Sequence, residues 1–128
     1  MTSLSTEISF DAFQILVAEA VEALPENIKK MMENVAVTVA EHPTAAQKRA
    51  VGLGSGYALY GLYQGVPLTA RTSNYGMVTP DRITLFMYPM VAHFSTPEAI
   101  RRQVQKTVLH EIGHHFGMDE KQLRDLGY

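Results

Sequence analysis

Apolar side chains early in the chain fall three and four residues apart: Phe13, Leu16, Val17, Ala20, Val21 and Leu24. That spacing puts them on one face of an amphipathic helix over residues 10–24, with Ser9 and Asp11 as start signals. Pro25 breaks the pattern, and residues 26–33 form a second short helix with the proline next to its first turn. Val35, Val37 and Val39 then alternate with small or polar residues. The alternation predicts a strand with one buried face, ending before His42 and Pro43.

Residues 44–56 carry Gln47, Lys48 and Arg49 followed by Gly52, Gly54 and Gly56, a composition that predicts a surface loop. The glycines do not form a phosphate cradle, because the third glycine position of that fingerprint falls on Tyr57 and no helical pattern follows. A second strand is expected over 58–63, turning at Gly65, Val66 and Pro67. The strongest strand signal lies over 83–88, closed by Pro89. The last long helix starts at Thr96, Pro97 and Glu98, where a capping hydroxyl, a proline at the first helical position and a first-turn acid coincide. Ile100, Val104, Val108 and Ile112 run down one face of it, and Gly117 is placed as a left-handed cap after Phe116. A terminal helical segment over 119–126 has Asp119 and Gln122 at capping-box spacing. The predicted class is α+β: two helices, a small sheet, then two helices.

The 128 residues suit a single domain, residues 1–128, with a modest core. A net charge of -2 draws neither polyanions nor anionic membranes, so no nucleic acid and no membrane is expected as a partner. Cysteine is absent, so any metal has to be held by histidine and carboxylate groups. Residues 1–8 lack a basic region followed by a long apolar stretch, and no segment reaches the length of a membrane span. A cytoplasmic location is the expectation.

His110 and His114 lie four residues apart on the last long helix, so their rings leave the same face on successive turns and can share one metal ion. Neutral imidazoles suit zinc, and a catalytic zinc needs three protein ligands so that water keeps the fourth position. Glu111 lies beside that water and can accept its proton as general base. The third ligand is expected just past Gly117, where the chain turns sharply and Asp119 and Glu120 follow. Glu120 is preferred, because Asp119 has a competing role as cap of the terminal helix. The candidate set is therefore Zn2+ on His110, His114 and Glu120, with Glu111 catalytic.

The run His110-Glu111-Ile112-Gly113-His114-His115-Phe116-Gly117-Met118-Asp119-Glu120 resembles the extended zincin signature His-Glu-x-x-His-x-x-Gly-x-x-[His/Asp]. It matches through Gly117 and departs at position 120, where metzincins have His and some single-domain relatives have Asp. With residues 62–68 and 123–127, the chain is similar to a family of short bacterial zincin-like metallopeptidases over most of 10–128. The resemblance implies a minimal zincin fold, in which a backing helix and an active-site helix pack on a small mixed sheet with one edge facing the metal cleft. It also implies that this edge strand holds an extended peptide by backbone pairing, and residues 83–88 are the candidate strand.

The leading expectation is hydrolysis of an extended peptide or protein substrate by zinc-bound water, with Glu111 as base and proton shuttle. The alternative is a non-catalytic peptide-binding or regulatory module on the same scaffold, motivated by how few residues follow Glu120. The two differ in coordination, since a structural zinc closes with four protein ligands and a catalytic one keeps an open position. Tyr60, Tyr63, Tyr88, His93 and Tyr128 are candidates to stabilise an oxyanion. His115, about 100° around the helix from His114, is expected to pack behind the site. Gly113 costs about 1 kcal/mol relative to alanine and marks close approach of a strand or substrate. Met31, Met32, Met87 and Met90 are expected as core filling, and His42 as exposed and inert.

Overall fold

The computed structural model describes residues 8–52, 59–65 and 80–125. Helix α1 (Phe10–Glu22) starts where Ser9 Oγ accepts the Ala12 N–H, and it buries Phe13, Leu16, Val17 and Ala20. Helix α2 (Glu26–Met31) follows Pro25 and buries Ile28. Strand β1 (Val35–Ala40), helix α3 (Ala45–Ala50), strands β2 (Gly61–Gln64) and β3 (Asp81–Phe86), and helices α4 (Met87–His93), α5 (Pro97–His115) and α6 (Glu120–Asp125) complete the order. Among the described residues, no helix is long and apolar enough to cross a membrane.

Two of these helices replace other expectations. Residues 45–50 are helical, not loop, because Thr44 and Gln47 form a reciprocal capping box: Thr44 Oγ1 accepts the Gln47 N–H and Gln47 Oε1 accepts the Thr44 N–H. The helix has no buried residue, so the apolar periodicity that marks the others is missing. Met87 and Tyr88 open α4 rather than ending a strand. Pro89 is its third residue, where a missing N–H costs no helical bond. Met87 and Met90 are then buried in the core, as is Met32.

The sheet has the order β1-β3-β2, with β1 parallel and β2 antiparallel to β3, so it is small and mixed. β3 is the central strand, which overturns residues 83–88 as the edge. Ile83, Leu85 and Phe86 are fully buried and Thr84 nearly so, a run filled on both faces that a central strand requires. β1 is half-buried at every position, since an edge strand covered incompletely on both faces cannot show the clean alternation its valines suggest. Val35, Val37 and Val39 nonetheless pack against the core with Ile83 and Leu85.

Helix α1 is the backing helix, packed along α5. Arg101 reaches Glu19 at 3.0 Å and Gln105 Nε2 donates to the Ala20 carbonyl at 3.0 Å, so polar contacts flank the apolar seam. Ile100, Val104, Val108, Leu109 and Ile112 of α5 are fully buried in that core.

Strand β2 lies against α5 so closely that a side chain at Gly61 has no room. A Cβ there would stand 2.6 Å from Thr107 Cγ2 and 3.2 Å from the Thr84 carbonyl oxygen. Gly61→Ala is therefore expected to destabilise the fold by about 1–3 kcal/mol through overpacking. Denaturant unfolding checks this, and an unchanged midpoint would mean that the strand and helix separate easily.

Candidate metal centre

Helix α5 is fixed at both ends by its sequence. Thr96 Oγ1 accepts the Ala99 N–H, Pro97 takes the first helical position, and Glu98 stands in the first turn. At the other end the Met118 N–H bonds the Gly113 carbonyl at 2.7 Å and the Gly117 N–H bonds the His114 carbonyl at 3.1 Å. These are the paired bonds of a Schellman cap, and Gly117 has the left-handed φ of +82° that the motif needs. The turn sends the chain into α6, whose Leu123 is fully buried.

Leu123 also explains Gly113. A Cβ on Gly113 would lie 2.5 Å from Leu123 Cδ2, so the close approach is to α6 and not to a strand or substrate. The glycine lets the helix behind the turn fold down beside the motif.

His110 and His114 stack on successive turns with ring centroids 6.1 Å apart and planes 19° from parallel. His110 is half-buried and His114 exposed. Two imidazoles on one helix face are a donor pair that suits zinc, so these two residues fit that metal. Among the described residues no group of three His, Asp or Glu side chains is close enough to hold a metal. Asp119 is the cap of α6: its Oδ1 accepts the Gln122 N–H, and its own N–H donates to Gln122 Oε1, both at 2.8 Å. Glu120 opens α6 directly after that cap, and its side chain lies outside the described residues.

Glu111 belongs to a stripe of α5 at four-residue spacing, Gln103, Thr107, Glu111 and His115, of which the last three meet β2. Thr107 faces Gly61, and Gln103 donates to the Thr107 hydroxyl at 3.0 Å. The Tyr63 main-chain N–H donates to Glu111 Oε1 at 2.8 Å. In the β2–β3 ladder Tyr60, Leu62 and Gln64 turn their backbone groups toward β3, so Gly61 and Tyr63 turn theirs away from it. The candidate base thus sits on the outer side of an edge strand, one residue from His110.

Tyr63 is the oxyanion candidate that the structure brings beside Glu111. Its hydroxyl donates to Asp81 Oδ2 at 2.6 Å, and its ring stacks on His115 with centroids 4.1 Å apart. His115 Nε2 stands 3.8 Å from the same Asp81 oxygen, so His115, though exposed, packs against the Tyr63 ring and beside Asp81. Tyr60 and His93 bond each other at 2.7 Å, with Tyr60 about 10 Å along the strand from Tyr63. Tyr88 stacks on the exposed His42, and Tyr128 lies outside the described residues. Asp81 and Thr107 escaped the sequence reading, although the Gln103–Thr107–Glu111–His115 spacing was visible there. A cleft of about 600 Å3 between α1 and β1, lined by Val17, Val21, Val37 and Val39 among others, lies at the opposite sheet edge and contains none of the motif residues.

The family model described as zincin-like metallopeptidase matches residues 32–128, more than half of the chain. No curated protein matches. In fold, the chain is similar to a solved structure described as a conserved hypothetical protein from Thermo thermophilus, at 24% identity and a TM-score of 0.52. The likeness covers 84% of this chain and 94% of that one. With a small mixed sheet, a backing helix and the His110–His114 motif on the helix beside the edge strand, the chain belongs to the zincin-like metallopeptidase family.

Proposed function

We propose that the protein is a zinc-dependent peptidase that cleaves extended peptide segments. The observation that carries this is the placement of Glu111, whose carboxylate is held by the outward N–H of edge strand β2, next to two histidines on one helix face. His110, His114 and Glu120 are the residues that would hold zinc, which when bound supplies a Lewis acid and lowers the pKa of water to about 7.

The protein's own side chains do the rest. With Oε1 on the Tyr63 N–H, Glu111 keeps Oε2 to take a proton from the attacking water and pass it to the leaving amine. Fixing one oxygen limits the carboxylate's rotation, so less order has to be created when substrate arrives. Strand β2 has one side occupied by β3, and an extended peptide would pair along its outward side, where the Gly61 carbonyl points.

A mixed-sequence peptide pool tests this reading. Zinc-loaded protein is expected to yield cleavage products detectable by mass spectrometry, lost with a chelator and regained with added zinc. An intact pool after prolonged incubation with zinc-loaded protein would overturn it.

A further inference from the structure

The Glu111 carboxylate is not positioned by helix α5 alone. Its partner is a main-chain N–H, so its place depends on where β2 lies, and β2 is the shortest strand described and, among the described residues, pairs with β3 alone. What ties this part of β2 down is the side chain of Tyr63. The phenol donates to Asp81, the first residue of the central strand, at 2.6 Å, and the ring stacks on His115, four residues beyond Glu111 on the same helix stripe. One residue therefore touches the base through its backbone, the central strand through its hydroxyl and the helix through its ring. Gly61, two residues earlier, presses the strand onto Thr107 without an intervening side chain.

We propose that Tyr63 is a positioning residue for Glu111, with Asp81 as its anchor. This inference rests on the peptidase reading for its catalytic consequence but not for its geometry. A carboxylate on Asp81 accepts the phenol strongly because a charged acceptor shortens and strengthens the bond. The side chain of Asp81 is 15% exposed, so water competes little for that oxygen. Loss of the phenol–carboxylate bond frees the strand end to move, and the Tyr63 N–H then leaves Glu111 Oε1.

Amide hydrogen exchange on the full chain reads this directly. In the parent the Tyr63 amide is expected to be protected, and Glu111→Ala is expected to speed its exchange about 10-fold or more, as local opening predicts. Tyr63→Phe and Asp81→Ala, which remove the two halves of the anchor, are expected to speed exchange of the residue-63 amide about 10-fold while leaving that of Leu62, which faces β3, unchanged. In the zinc-loaded enzyme the same two variants are expected to bind zinc as the parent does and to lose about 10-fold in kcat with KM within about twofold, the pattern of a misplaced catalytic group. Unchanged Tyr63 exchange in Glu111→Ala, or in both anchor variants, overturns the proposal, as does parental kcat in both. If the parent shows no turnover while the exchange contrast holds, the peptidase reading fails and the placement of Glu111 by Tyr63 stands.

Discussion

Glu111→Gln is expected to fold and bind zinc like the parent and to lose about 10²- to 10⁴-fold in kcat, the range set by removal of a general base. The substitution isolates chemistry from structure. Glutamine keeps a carbonyl oxygen for the Tyr63 N–H, so the contact that holds the side chain at β2 survives. What it lacks is an oxygen basic enough to take a proton, and neither His110 nor His114 can substitute while serving as a metal ligand. Steady-state kinetics with zinc quantified in the same samples checks this. A variant that turns over at the parental rate would remove Glu111 from the mechanism.

Glu120→Ala and His114→Ala are expected to weaken zinc binding by more than about 100-fold, above the loss typical of an outer-shell partner, whereas Asp119→Ala should keep it. The distinction comes from the capping box of α6. Both the N–H and the Oδ1 of Asp119 are engaged with Gln122 at 2.8 Å, which commits that side chain's rotamer to capping α6. Losing that cap is expected to cost about 1 kcal/mol of stability, visible in denaturant unfolding. Zinc titration of the three variants decides between the two acids. Retention of zinc by Glu120→Ala with loss in Asp119→Ala would exchange their roles.

The helices with buried faces were legible because burial imposes a period of 3.6, and α1 and α5 carry it from Phe13 to Ala20 and from Ile100 to Ile112. Caps were legible too, since Ser9, Thr96, Gly117 and Asp119 have chemistry specific to helix ends. Helix α3 was not, because an exposed helix of six residues leaves no apolar stripe and only the Thr44–Gln47 pair marks it. Residues 83–88 have high strand propensity, but propensity does not say which neighbours a strand acquires, so it does not distinguish the central β3 from an edge. The same limit applies to the site. His110, Glu111 and His114 are close in sequence and legible by spacing, whereas Tyr63 reaches Glu111 from 48 residues away and Asp81 meets Tyr63 from the central strand, contacts that only the fold makes.

In the proposed site, the histidine pair and a carboxylate past Gly117 hold zinc with one position left open. Elemental analysis of the parent protein after zinc loading and removal of excess metal tests it most directly, combined with X-ray absorption of the bound metal. A single zinc ion per chain with two imidazole nitrogens and oxygen donors in its shell is the expected result. No retained zinc, or a shell closed by four protein ligands, would contradict it.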